Sequence, residues 1–392
     1  MSGSQAIRKM SSNLPYRIGV LFSYQVSLAE WKQSGIMDRE IRLYQEIAKK
    51  KNFDFLFITY GGAEDIRLAQ ETEHISVLPI YEKRRPPRTK VGTFVHSLFL
   101  AWILRDDLKQ IKLLKTNQVY GAWPILMFRL IQGSPILVRA GYEWYRFVTY
   151  ERRAMSFRTI VKVLSTMTYW IANRIHLPTV DDAEFVSNRF WVSPEKISVV
   201  PNCIDTRLFK PIQKVNRRSD RILFVGRPSP QKNLVLLLES LEGLKVGLDV
   251  VGIDETEGAV YLDIARRLDV SLSLVGKKPN LSMPEIYSGY QIYVVPSAYE
   301  GNPKSVLEAL ACGCAVIGTD VPGINNLLEH QVTGMLVQPT VDGLREGIST
   351  VCSNTSLRQA LSENGVKFIQ HFHSLDSAIE KEIDAYSNLI RN

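Results

Sequence analysis

From residue 221 onward the chain alternates short apolar runs with amphipathic stretches, and this alternation limits the fold more than any other feature. The spacing predicts strands at 221–225, 245–251, 271–275, 290–295 and 314–318, with helices near 233–242, 258–268 and 303–312. Near-continuous apolar strands separated by helices imply a parallel sheet covered on both faces. The first half opens in the same manner, with strands at 16–22 and 53–59. Between them a helix starts at Ser34-Gly35 and carries the apolar stripe Ile41, Leu43, Tyr44, Ile47 and Ala48. Further strands are expected at 75–80, 136–140 and 174–177. At 392 residues the chain is long enough for two domains. The polar, proline-initiated stretch 211–220 reads as the hinge between them. The final stretch, 374–390, is helical by the spacing of Leu375, Ile379, Ile383, Tyr386 and Ile390.

One block is chemically distinctive. The buried-looking strand Tyr293-Val294-Val295-Pro296-Ser297 leads into Glu300-Gly301-Asn302-Pro303 and a helix that carries Glu308. Pro303 fits the first helical turn, Gly313 ends the helix, and Ala315–Thr319 reads as the next strand. Unpaired N–H groups and the positive end of a helix attract anions, and carboxylates accept hydrogen bonds from sugar hydroxyls. A phosphorylated sugar suits such a site. Upstream, Gly226 and Arg227 directly follow a strand and Lys232 comes five residues later, so two cations can converge on a diphosphate. Cleaving a sugar–phosphate bond builds negative charge on the departing phosphate, which placed cations offset.

At these residues the chain resembles the retaining glycosyltransferases of family 4. The signature is Glu300 to Glu308, then Val321-Pro322-Gly323, then Thr333-Gly334-Met335-Leu336-Val337. Ile197 to Thr206 resembles that family's interdomain segment, and Phe224-Val225-Gly226-Arg227 with Lys232-Asn233 its phosphate loop. The resemblance covers about residues 175–340. It implies a GT-B fold of the α/β class: two Rossmann-like domains facing across a cleft, with a C-terminal helix crossing back to the first. The implied domains are an acceptor-binding one at 1–205 joined by 374–392, and a donor-binding one at 206–373.

The resemblance also implies roles. Glu300 would contact the donor sugar and, with Arg227 and Lys232, carry the chemistry. Glu308 would hold the nucleotide ribose. Backbone from Asn302 through Ser305, with Gly301, Pro303 and Lys304, would line the sugar and phosphate, Gly276 would lie near the base, and Gly35 would approach the phosphates from the first domain. Ser34 stands where the family usually has a second glycine. The family also commonly has a histidine in the middle of the first domain, and here none lies between His96 and His176. Arg139, Tyr142 or Glu143, after the strand at 136–140, are candidates for that place. The implied route is a front-face retaining transfer from a UDP- or GDP-sugar, with no cofactor. Six histidines without a His-x3-His or Asp-x-Asp pair argue against a catalytic metal.

Charge is unevenly spread. Residues 1–200 hold 29 Lys/Arg against 18 Asp/Glu, while 201–392 hold 19 against 22. Much of the excess lies in 81–180, mixed with aromatics, a face that an anionic membrane surface could use. In 158–171, Ile160, Val161, Leu164, Met167 and Ile171 share one helix side with Arg158 and Lys162 opposite, a pattern that also suits a core-facing helix. Residues 1–9 lack the apolar stretch of a signal peptide, and no segment reaches the ~20 apolar residues of a spanning helix. Four cysteines without metal-type spacing fit a reduced, cytoplasmic setting, peripheral to the inner face of the membrane.

Taken together, the sequence predicts a metal-independent hexosyltransferase acting on a saccharide or lipid-linked acceptor in cell-envelope polysaccharide synthesis. A nucleotide-sugar epimerase or phosphorylase on the same frame, and a silent nucleotide-sugar-binding protein, are the alternatives. Nucleic-acid binding finds no recognition motif, and no Gly-x-Gly-x-x-Gly follows the strands at 16–22 or 221–225 to suggest a dehydrogenase.

Overall fold

Two all-parallel sheets organise the chain, each belonging to its own unit, in a computed structural model that describes residues 15–391. The reading of residues 1–9 lies outside the described residues. The first unit runs to Val200 and regains the chain from Ile379; the second spans Pro201–Ala378. The stretch 211–220, expected as a hinge, lies inside the second unit. There Arg217 donates to the carbonyls of Gly313 and Cys312, and Arg218 pairs with Asp249 at 2.7 Å.

The first sheet comprises β1 (Tyr16–Leu21), β2 (Phe53–Thr59), β3 (Ile75–Pro79), β4 (Ile111–Thr116), β5 (Ile136–Arg139), β6 (Arg174–Leu177) and β7 (Ile197–Val199), in the order β3-β2-β1-β4-β5-β6-β7. β4 and β7 were not expected. β4 reads Ile-Lys-Leu-Leu-Lys-Thr, and its Lys115 is fully buried. An unpaired buried ammonium is very costly. Here its Nζ lies 2.8 Å from Glu382 Oε2 and 2.8 Å from the Tyr386 hydroxyl, both on the C-terminal helix Leu375–Arg391. Lys115, His176 and Arg139 hold the buried Glu382 carboxyl well below the usual range, against the opposing effect of burial. This ion cluster is what returns the last helix to the first sheet.

The second sheet comprises β8 (Arg221–Val225), β9 (Gly247–Val251), β10 (Leu272–Gly276), β11 (Ile292–Val295), β12 (Ala315–Thr319) and β13 (Met335–Val337), in the order β10-β9-β8-β11-β12-β13. Along β11, Ile292 and Val294 join one core and Tyr293 and Val295 the other. Burial on both faces explains why this strand is apolar throughout rather than alternating.

Two helix ends differ from expectation. Ser34-Gly35 does not start a helix but closes Leu28–Gln33: Gly35 has φ +73°, its N–H bonds the Lys32 carbonyl at 3.0 Å, and Ile36 N–H bonds Trp31 O at 3.0 Å. That pair of bonds is a Schellman cap, which requires a left-handed residue and so favours glycine. The next helix, Met37–Lys50, buries Ile41, Tyr44, Ile47 and Ala48 of the expected stripe, while Leu43 is only half-buried. Pro303 is the extended residue before the helix Lys304–Ala311 rather than part of its first turn. All four cysteines are free thiols, and no helix among the described residues is long and apolar enough to cross a membrane.

Candidate active site in the second unit

In the second sheet the strand order reverses between β8 and β11. Beyond the carboxyl ends of strands at such a junction, neighbouring connections diverge and leave room for a ligand. Lys232 comes from the short 3-10 turn after β8, and Glu300 from the loop after β11. Their Nζ and Oε1 are 2.6 Å apart. The Glu300 carboxylate is nearly buried and also accepts from Ser297 Oγ at 2.7 Å and Gln231 Nε2 at 3.2 Å. A carboxylate with three donors keeps a fixed orientation.

The Glu300 loop is fixed from below by a glycine. Glu300 N–H bonds the Pro322 carbonyl at 2.9 Å, and Gly323, at φ +84°, lies so close that a Cβ there would sit 2.2 Å from the Glu300 carbonyl oxygen. The Pro322-Gly323 turn is thus the floor of the site. Asn302 is held by its own carbonyl, which accepts from Asn202 Nδ2 at 2.7 Å. Its side-chain oxygen is buried with no partner among the described residues. Pro303 has no N–H, so the backbone donors in this stretch are those of Gly301, Asn302, Lys304 and Ser305.

Glu308 sits in the helix Lys304–Ala311, almost wholly buried rather than on a solvated face. The Tyr287 hydroxyl donates to its Oε2 at 3.1 Å and Asn280 Nδ2 to its Oε1 at 3.3 Å. Burial, reinforced by Glu308, pushes the Tyr287 phenol well above its usual range, so it remains a donor. Arg227 is exposed beside Gly226. The backbone at the ends of β8, β9 and β10 converges: Gly226 N–H bonds Val251 O at 3.0 Å and Gly252 N–H bonds Gly276 O at 2.9 Å. Gly252 has φ +103°, and a Cβ there would lie 2.7 Å from Gly226 O, whereas Gly276, at φ +73°, opens onto free space.

Residues 205–368 match the family model described as Glycosyl transferases group 1. That match covers less than half of the chain and falls within the second unit. The chain is similar to an Escherichia coli UDP-Gal:alpha-D-GlcNAc-diphosphoundecaprenol alpha-1,3-galactosyltransferase, 24% identical over 67% of this chain and 71% of that protein. It is also similar to a Campylobacter jejuni N-acetylgalactosamine-N,N'-diacetylbacillosaminyl-diphospho-undecaprenol 4-alpha-N-acetylgalactosaminyltransferase, 28% identical over 52% of this chain, and spans 58% of that protein's length. Among solved structures, a sucrose-phosphate synthase from Thermosynechococcus elongatus aligns with TM-score 0.81 at 18% identity, over 96% of this chain and 99% of that one. The likeness is one of fold, the GT-B class of two Rossmann-like units expected from the sequence.

Within the second unit, Glu300 and Lys232 come together, with Gly301 and Asn302 continuing the same loop. Ser297, Gln231, Tyr287 and Asn280, which orient the two glutamates, were not singled out from sequence, nor were Gly252 and the floor role of Gly323. Ser297 lies three residues before Glu300, the spacing of a side-chain turn, which is the only local signal among them. In the first unit, Gly35 caps a helix as described. Arg139 lies 3.9 Å from Glu382, in the cluster that holds the C-terminal helix. Glu143 caps the helix Trp144–Tyr150 by accepting from Arg146 N at 2.6 Å and also accepts from the Tyr169 hydroxyl at 3.2 Å. Burial pushes its carboxyl up to about 7, against the opposing hydrogen bonds from Arg146 and Tyr145. Tyr142 stacks on Phe147 with ring centroids 4.5 Å apart.

The helix Met155–Ile171 departs from its expected pattern. Val161, Ser165, Thr168 and Tyr169 face the core, while Phe157, Ile160, Val163, Met167 and Trp170 are open to solvent, Trp170 at 57%. Ile160 and Met167 therefore belong to a second, exposed apolar stripe. Lys162 Nζ lies 5.9 Å above the ring of Trp191, itself 74% exposed.

Proposed function

We propose that this chain is a retaining, metal-independent hexosyltransferase that moves a sugar from a UDP- or GDP-sugar to a hydroxyl of a lipid-linked saccharide in cell-envelope polysaccharide synthesis. The observation that carries the reading is the Lys232–Glu300 pair at the β8/β11 junction, with a buried, oriented Glu308 in the helix that follows. A donor diphosphate would draw Lys232 Nζ from Glu300, and exposed Arg227 would supply a second cation. Glu300, still held by Ser297 and Gln231, would accept from sugar hydroxyls, and Glu308 from the ribose. As the bond from the anomeric carbon to the phosphate oxygen breaks, the acceptor oxygen bonds that carbon on the same face. Its proton passes to the departing phosphate, whose growing charge the cations offset. Gly226, Gly276 and the Gly301–Ser305 backbone would let the donor approach main-chain N–H groups.

The lipid-linked acceptor is suggested by the acceptors named for the Escherichia coli and Campylobacter relatives. A site of action at the cytoplasmic face of an anionic membrane is supported by the first unit itself. Residues 81–180 carry 17 Lys/Arg against 5 Asp/Glu. Arg152 and Arg153 lie just before the helix that carries the exposed stripe Phe157–Trp170, and Arg158 and Lys162 lie in its first half. Exposed apolar side chains accompanied by cations are costly in water and favourable at an anionic interface. The test is an incubation of UDP- and GDP-hexoses with undecaprenyl-diphosphate saccharides in chelator. Product whose new linkage keeps the donor's anomeric configuration supports the proposal. Inverted product, or turnover only with added metal, opposes the retaining or metal-independent part.

A further inference from the structure

The chain enters the second unit at Pro201 and leaves it after Ala378. The entering and leaving segments are bonded to each other. Ile204 N–H bonds the His373 carbonyl at 2.8 Å, Leu375 N–H bonds the Ile204 carbonyl at 2.9 Å, and Ile204 pairs with Ser374 as a parallel bridge. The His373 ring adds a third bond, its Nδ1 lying 2.9 Å from the Asn202 carbonyl oxygen. A carbonyl only accepts, so Nδ1 is the ring nitrogen that carries the proton. Both Asn202 and His373 are buried.

The side chain of Asn202 joins this pair of segments to the Glu300 loop, because its Nδ2 donates to the Asn302 carbonyl at 2.7 Å. Upstream of that carbonyl, Glu300 N–H is tied to Pro322 O; downstream, the Pro303 carbonyl accepts from Val306 N at 3.1 Å and Leu307 N at 3.3 Å as the helix Lys304–Ala311 begins. Pro303 supplies no N–H to the peptide that follows Asn302, so the Asn302 carbonyl is the polar handle of that peptide, and a bond to it sets the peptide plane. Releasing it would let the turn between Glu300 and the helix rotate, and with it the Gly301 and Asn302 N–H groups. A buried carbonyl could be satisfied by any donor. Here the donor belongs to the residue whose own carbonyl is held by the leaving segment.

We propose that Asn202 is a positioning residue for the donor sugar. Its side-chain bond to the Asn302 carbonyl sets the sugar-facing turn of the loop, and its own carbonyl, held by His373, couples sugar binding to the pairing of the entering and leaving segments. The role rests on the glycosyl-transfer reading, which puts a donor sugar at the Glu300 loop. Asn202 bonds none of Lys232, Arg227 and Glu308 in that reading, so binding of the nucleotide and binding of the sugar are separable. Coupling is reciprocal: a sugar that is held better by the fixed loop must hold the loop, and with it the two segments, more firmly in turn.

The test is calorimetry on the full chain with UDP, UDP-glucose, UDP-galactose, UDP-N-acetylglucosamine, GDP and GDP-mannose, comparing wild type, Asn202→Ala and Asn202→Asp. A sugar conjugate should bind each variant about tenfold more weakly than wild type, the effect of about one lost buried hydrogen bond, while the bare diphosphate binds all three within about twofold. Asn202→Asp keeps the shape and turns the donor into an acceptor, so it should bind no better than Asn202→Ala. In the wild type, the conjugate should slow hydrogen exchange at the Ile204 and Leu375 amides at least about threefold more than the bare diphosphate does. That comparison needs no variant and holds even if neither variant folds. Equal losses for conjugate and bare diphosphate, an Asn202→Asp protein that binds like wild type, or exchange at those amides that ignores the sugar would overturn the assignment. If nucleotide and conjugate bind the wild type and these differences are absent, the positioning role alone fails. If none of them binds, the glycosyl-transfer reading fails with it.

Discussion

Replacing Lys232 by methionine keeps the side chain's length and removes its charge, which separates the folding role of the Lys232–Glu300 pair from its catalytic one. In the folded protein the loss strips one partner, at 2.6 Å, from a nearly buried carboxylate. Ser297 Oγ at 2.7 Å and Gln231 Nε2 at 3.2 Å remain. With two donors left, the cost belongs near the low end for a broken buried pair, about 1–2 kcal/mol, or a melting shift of a few degrees. The catalytic cost is larger. Removing one placed electrostatic group from a site of developing charge lowers kcat by about 10²–10³. The assay is release of nucleoside diphosphate from the sugar donor at 25 °C, with melting followed in parallel. Adding Glu300→Gln to Lys232→Met neutralises the stranded carboxylate, so melting should recover while turnover does not. A Lys232→Met enzyme within about threefold of wild-type kcat, or one whose turnover recovers with its stability, would refute the assignment of Lys232 to the leaving phosphate.

Other consequences follow from the same geometry. Gly323→Ala and Gly276→Ala both place alanine at positive φ, which costs about 1–2 kcal/mol, but only Gly323 meets the Glu300 backbone. Urea unfolding should show the larger loss for Gly323→Ala, together with loss of donor binding, and equal losses would contradict the floor role of that turn. Glu143 is expected to make stability depend on pH. Its carboxyl titrates at about 7 in the folded state, so its contribution is full below the unfolded value near 4.5 and is lost as pH rises through about 7. At pH 8 Glu143→Gln should be the more stable protein, by up to about 3 kcal/mol, and at pH 4 the two should match; a constant difference across that range would rule this out. Ile160→Glu with Val163→Glu should reduce co-sedimentation with vesicles of anionic lipid at least about tenfold while leaving melting within about a degree, since both side chains are exposed. Unchanged sedimentation would remove the stripe from the membrane reading.

How much of this was legible in the sequence depended on where the stabilising partner lies. β8, β11 and β12 were readable because burial on both faces makes each a nearly continuous apolar run, and Glu300 and Glu308 were readable because one loop and one helix carry both. β4 was not, since Lys115 breaks its apolar run and the carboxylate that permits its burial, Glu382, comes 267 residues later. Gly35 was read as a helix start because a Ser-Gly pair suits either end of a helix; the Schellman bonds that decide it involve residues on the preceding helix. In 155–171 the periodicity showed an apolar side but not which apolar residues were covered. Val161 and Ile160 are adjacent in sequence, one buried and one exposed, and only the neighbouring elements distinguish them.

The most direct test of the central claim is a calorimetric titration of the wild type and Glu308→Ala with UDP, GDP, ADP and CMP and their sugar conjugates. The account requires one nucleotide family to bind the wild type and to bind Glu308→Ala at least about tenfold more weakly, since the buried carboxylate is assigned to two ribose hydroxyls. Equal binding by both proteins, or no binding of any nucleotide by a folded wild type, would contradict the placement of the donor site at the β8/β11 junction.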